Sequence, residues 1–166
     1  MGSITIQDKR IPIRQEAALV ATGNDASATP FEIGPLPNVA IHNTVNATAS
    51  ESDPVHTCTK AADSKTVWFT VTASDTGSLR VAFANRRLDN GADSGTVLAV
   101  YDAAGAERAC SLTPQSSTVI TTRTVALNVV KGDKLTIEVS ATLSGSAATA
   151  QLQGGVLSIA AQIIKP

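Results

Sequence analysis

Residues 66–84, TVWFTVTASDTGSLRVAFA, constrain the fold most, because polar and apolar residues alternate with a period of two on both sides of a short turn. Val67, Phe69 and Val71 fall on one face, with Thr66, Trp68, Thr70 and Thr72 on the other. Leu79, Val81 and Phe83 repeat the pattern against Arg80. An extended chain points successive side chains to opposite sides, so this alternation marks half-buried strands that give one face to a core. The turn SDTG (74–77) predicts that the two strands form an antiparallel hairpin. Further strands are expected at 38–45, 96–103, 117–130, 131–143 after the tight turn Lys131-Gly132-Asp133, and 154–164. Turn signals recur at roughly ten-residue intervals and no amphipathic helix stands out, which predicts an all-β fold. The expected architecture is an antiparallel β-sandwich, jelly-roll-like, of about eight strands, with a closed barrel as the structural alternative.

Residues 1–23 carry no decisive period. SITIQ and IPIRQEAALVATG read equally as an extended arm, a linker tail or a short helix over RQEAALVA. MGS reads as the scar of an expression tag standing where an upstream segment lay. The expected division is therefore 1–23 as scar and N-terminal arm or linker, and 24–166 as the sandwich domain. At 166 residues and 17.0 kDa the chain suits one domain with a core of its own. Charged residues are 16%, net charge is −1 and there are five aromatics, Phe31, Phe69, Phe83, Trp68 and Tyr101, which argues against a nucleic-acid partner. No run of eighteen apolar residues predicts a membrane span.

Two cysteines, Cys58 and Cys110, stand about fifty residues apart and match no zinc or redox spacing. They read as a disulfide, which persists outside the reducing cytosol, or as two buried free thiols acting as small hydrophobes. The only histidines, His42 and His56, read as surface or turn residues. No Gly-x-Ser-x-Gly, His-Glu-x-x-His or phosphate-cradling glycine loop is present, and nothing selects one serine for a triad, so no catalytic residue is assigned. Asp89 and Asp93 share the 86–95 stretch with Arg86 and Arg87, as in a solvated, self-neutralising loop. Trp68, in the middle of a strand, reads as core rather than as an exposed platform.

The succession NDASATPFEI, HNTVNATASESDPVHTC, SKTVWFTVTASDTGSLRVAF, SGTVLAVYDAAGAERAC and VALNVVKGDKLTIEV resembles the bacterial pre-peptidase C-terminal domain family. That family is the jelly-roll appendage of secreted peptidases and includes collagenase collagen-binding modules. The resemblance spans about residues 24 to 140 and rests on Asn24-Asp25, Asp53-Pro54 with Cys58, Thr66 to Ala73, Thr96 to Tyr101, and Cys110. It implies a Cys58–Cys110 bridge between two sheet edges, and a Trp68 inside the scaffold. It also implies a calcium site on Asn24, Asp25, Glu51 and Asp53, although the longer acidic N-terminal run of the collagen-binding branch is absent here. The function it implies is a non-catalytic accessory or binding module of a secreted or cell-surface bacterial protein, linked to a larger parent chain. Such a module would aid substrate attachment or secretion of a linked peptidase by binding an extracellular protein or polysaccharide, through residues the sequence does not assign. The alternative is a structural spacer or self-associating domain of a surface protein.

Overall fold

The computed structural model describes residues 2–6, 9–15, 23–59, 63–88, 95–113, 122–142 and 154–165. In chain order its strands are β1 (Gly2–Ile6), β2 (Lys9–Gln15), β3 (Phe31–Glu32), β4 (Asn38–Asn43), β5 (Asp63–Thr72) and β6 (Gly77–Arg87). There follow β7 (Thr96–Tyr101), β8 (Glu107–Thr113), β9 (Arg123–Val129), β10 (Lys134–Thr142) and β11 (Gly155–Ile164). No helix occurs among the described residues. The strands form two sheets, ordered β1-β2-β4-β11-β6-β9 and β3-β5-β10-β7-β8. All pairings are antiparallel except β2 with β4 and β3 with β5. The fold is thus the expected β-sandwich, with eleven strands among the described residues where about eight were expected. The additional ones include the two-residue β3, the β8 strand after the Tyr101 turn, and the N-terminal pair.

Alternation correctly marks the inward residues. Val67, Phe69 and Val71 of one sheet and Leu79, Val81 and Phe83 of the other are all buried, and they join Ile137, Leu157 and Ile159 in one core. Apolar area removed from water in such a layer contributes roughly 25 cal/mol per Å², the main term holding the sheets face to face. The expected hairpin at 74–77 is not formed. β5 pairs with β3 and β10, β6 pairs with β11 and β9, and the turn carries the chain from one sheet to the other. Two strands with equally apolar faces bury more by facing each other across the sandwich than by lying side by side, and that decides the turn's use. Lys131-Gly132-Asp133 makes a second arch of this kind between β9 and β10, with Gly132 at φ 93° and Asp133 Oδ2 accepting from Val130 N at 2.8 Å.

At the N-terminus, β1 and β2 form an antiparallel pair, and β2 lies parallel to β4 with Arg14 opposite Ala40 and Gln15 opposite Ile41. Of the readings open for this stretch, extended backbone describes 2–6 and 9–15, whereas residues 16–22 lie outside the described residues. Arg86 and Arg87 end β6, and Asp89 and Asp93 lie outside the described residues.

The closing strand β11 enters the middle of the six-stranded sheet through a tight gap. Thr44 N donates to Gly155 O at 2.8 Å, and Gly155 N donates to Thr44 Oγ1 at 2.9 Å. A Cβ at Gly155 would stand 2.0 Å from Arg86 O, a backbone atom that cannot swing aside. Gly155→Ala is therefore expected to cost about 1–3 kcal/mol through overpacking. Chemical denaturation checks this, and an unchanged midpoint would show that β6 and β11 can separate there at little cost.

Candidate functional site

The outer face of the five-stranded sheet is not left to solvent. All six residues of β7 are buried, so both of its faces are covered, and in β10 residues 137–140 are buried without alternation. The register sets Trp68 of β5 beside Glu138 of β10, and Glu138 beside Ala99 of β7. Trp68, Ala99 and Tyr101 form a second apolar cluster there, with Cys110 against it. Trp68 is 3% exposed, a scaffold position as expected.

Chain from the N-terminal third runs beside β5 at the margin of this sheet. Asn24 O accepts from Trp68 N at 2.8 Å, its Nδ2 donates to Trp68 O at 2.9 Å, and Thr48 O accepts from Thr66 N at 2.8 Å. Segment 55–58 is held against β8 in three ways. Thr57 N donates to Glu107 Oε2 at 3.1 Å, Thr57 Oγ1 donates to Glu107 Oε1, and Cys58 is joined to Cys110 in a disulfide with Cα atoms 5.7 Å apart. The two cysteines therefore make the bridge, and buried free thiols are excluded.

Inside this clasp His56 turns toward the sheet while Val55 beside it points out, 83% exposed. His56 Nδ1 lies 2.9 Å from Tyr101 Oη, Tyr101 Oη donates to Glu138 Oε2 at 3.3 Å, and His56 Nε2 stands 3.6 Å from Glu138 Oε1. The side chains of His56 and Glu138 are both 0% exposed. The surface reading of the histidines is overturned for both. His56 faces the buried Glu138 carboxylate of β10 beside Tyr101, and His42 is 5% exposed, packed edge-on against Phe31 and Phe69 at 4.6 and 4.9 Å. The second case follows from register, since His42 stands opposite Leu157 and shares its inward face. A tyrosine, a histidine and a glutamate could relay a proton, but a group sealed from solvent meets no substrate, and its chemistry here is that of a buried polar clamp.

The residues proposed for calcium are spread over two neighbouring turns. Asn24 is buried and bonded to Trp68, Asp25 accepts from Thr48 N at 2.5 Å and from Thr48 Oγ1 at 2.6 Å, and Asp53 Oδ2 accepts from Ser50 N at 2.8 Å. Glu51 is exposed on the 50–53 turn. Among the described residues the carboxylates of Asp25, Glu51 and Asp53 do not converge on one point. An ion needing six to eight oxygens would require these side chains to be drawn together from the two turns.

The described surface also carries an open groove of about 680 Å³ at the arch end of the sandwich, lined among others by Thr76, Arg108, Asn128, Val130, Asp133 and Lys165. Lys165 pairs with Asp75 at 3.1 Å and Arg108 stands 3.9 Å from Asp102, so the rim mixes both signs of charge. Val130 is 61% exposed and Ile164 41% exposed, the apolar part of this end. Sequence patterning gave no sign of the groove, because its lining is gathered from the ends of β6, β8, β9 and β11 and from the arch before β10.

No protein-family model matches this chain, and no curated protein matches it. Among solved structures it is similar to the pre-peptidase C-terminal domain of a collagenase from Bacillus anthracis, at 10% identity and a TM-score of 0.45, over 80% of this chain and 94% of that one. It is also similar to a family 35 carbohydrate-binding module from Cellvibrio japonicus, at 16% identity and a TM-score of 0.38, over 60% of this chain and 66% of that one. A third is the carbohydrate-binding module of Cellvibrio mixtus lichenase 5A in complex with cellotriose, at 16% identity and a TM-score of 0.38, over 63% of this chain and 73% of that one. No helix among the described residues is long and apolar enough to cross a membrane.

Proposed function

We propose that this chain is a non-catalytic binding module of an exported bacterial protein, of the pre-peptidase C-terminal type, attached to a larger parent chain. The Cys58–Cys110 bridge carries the reading, since such bonds persist outside the reducing cytosol. The sealing of His56, Tyr101 and Glu138 supports it further, because the most enzyme-like constellation among the described residues has no access to substrate. Binding falls to the rigid ends of the sandwich, and the groove at Asn128, Arg108 and Lys165 offers amide and cationic donors beside the apolar Val130 and Ile164. Hydroxyl-rich polysaccharide or an extended extracellular protein suits that lining.

The test is retention of the full chain on insoluble polysaccharides, peptidoglycan and collagen. The expected result is retention on at least one of them, falling tenfold or more in Asn128→Ala and Lys165→Ala with the fold intact. No retention on any would sink the binding reading and leave a spacer or self-associating role. Calcium at Asn24, Asp25, Glu51 and Asp53 is tested by melting in calcium and in chelator. With these carboxylates spread over two turns and not converging, the two melting points are expected to coincide. A rise of several degrees in calcium would assign an ion to these residues.

A further inference from the structure

Among the described residues one set of metal-ligating side chains converges. A ring nitrogen of His56, a carboxylate oxygen of Glu107 and Sγ of Cys110 lie within 4.8 Å of one another. A fourth donor stands at the same place, because Sγ of Cys58 is bonded to Sγ of Cys110. Two sulfurs, one imidazole nitrogen and one carboxylate oxygen make a donor set suited to tetrahedral zinc. In the bridged chain they cannot ligate, since a metal takes thiolates and here each sulfur is spent on the other. The geometry points to a second cross-link at this spot: once the bridge is reduced, Cys58, Cys110, His56 and Glu107 bind one zinc ion.

The distances allow it without moving a strand. Zinc–sulfur bonds of about 2.3 Å place two tetrahedral sulfur ligands about 3.8 Å apart. The bridged Cα atoms are already 5.7 Å apart, so side-chain rotation can open that space. The supporting contacts are also in place. Whichever His56 nitrogen turns to the metal, the other keeps a polar neighbour, Tyr101 Oη at 2.9 Å from Nδ1 or Glu138 at 3.6 Å from Nε2, and a metal-bound imidazole commonly has its other nitrogen oriented by such a group. Thr57 fixes the Glu107 carboxylate through its N–H at 3.1 Å and its hydroxyl. Glu107 and Cys110 are only partly buried, which gives the ion a path from solvent.

The chemistry balances with a dithiol as reductant. The protein disulfide takes up two electrons and two protons to become two thiols, and the dithiol closes to its own disulfide. Zinc then displaces the two thiol protons to solvent and is held by two thiolates, one carboxylate and one neutral imidazole. Either cross-link pins segment 55–58 to β8, so the chain keeps its clasp in a reducing compartment as well as in an oxidising one.

The experiment uses the full chain reduced with a phosphine, which leaves as its oxide with oxygen from water, and titrated anaerobically with cobalt(II) and then zinc(II). One cobalt per chain is expected, with a thiolate-to-metal charge-transfer band that zinc abolishes, and no band in the bridged chain. His56→Ala and Glu107→Gln should each weaken binding tenfold or more. Because His56→Ala also removes the imidazole that faces the buried Glu138, Glu107→Gln, on a partly exposed side chain, decides the matter if the former does not fold. Absence of the band would overturn the proposal. So would equal affinity in Glu107→Gln, which would mean that the thiol pair alone binds metal, or loss of strand structure on reduction that zinc does not restore.

Discussion

Replacing both bridge cysteines, Cys58→Ser with Cys110→Ser, should lower the unfolding free energy by about 4 kcal/mol, the chain-entropy value for a closed loop of about fifty residues. For a chain of this length that is a fall in melting temperature of about 8–16 °C. The loop spans 52 residues and runs from the segment over Trp68, through β5, β6 and β7, to β8. Cutting it frees a large part of the unfolded chain while the two Thr57–Glu107 hydrogen bonds remain at the surface. Calorimetry of the two proteins side by side reads the effect. A fall of under 3 °C would mean that the bridge fastens a segment already held by other contacts.

His56→Ala should be nearly as damaging, costing about 3–5 kcal/mol, because it removes the imidazole 3.6 Å from the buried Glu138 carboxylate and breaks up a buried pair by one member. Both side chains are fully enclosed, so solvent screens none of this. Glu138→Gln keeps the shape and can still accept from Tyr101 Oη, and should cost only about 1 kcal/mol, the scale of one hydrogen bond. The double change His56→Leu with Glu138→Met replaces the pair by apolar volume and is expected within about 1 kcal/mol of the starting protein, as for other buried pairs exchanged whole. Urea unfolding of the three variants separates these values. Equal losses in His56→Ala and Glu138→Gln would show that packing, and not the carboxylate's need for a partner, sets the cost.

Much of this architecture was legible in the residues. The period-two runs placed Val67, Phe69, Leu79, Val81 and Ile137 inward because burial on one side of a strand leaves that imprint directly. Even His42 was readable in hindsight, since NVAIHN places it in phase with Ala40, and only the polarity of its ring argued for the surface. Glu138 was not readable. In KLTIEVS it falls on the outward phase, and it is buried because distant chain lies over that face. His56 sits in a segment without period, and its partners are 45 and 82 positions further on, at Tyr101 and Glu138. The destination of the 74–77 turn was equally hidden, since four polar residues close a hairpin or arch between sheets with equal ease. Local sequence thus reports which side of a strand is wet, whereas the clasp, the groove and the sheet-to-sheet crossings arise from residues that meet only in the finished molecule.

The position of β11 has a consequence for how the protein is made. It lies between β4 and β6, so the middle of the larger sheet is supplied by residues 155–164. Until the ribosome has released that stretch, β4 and β6 have no neighbour on their inner sides, and their unpaired edges can recruit another chain. The nascent polypeptide therefore cannot close its core stepwise during synthesis, and folding awaits the last strand and the slow search that long-range pairing imposes. Termination before residue 155 is expected to yield an aggregating product rather than a smaller domain.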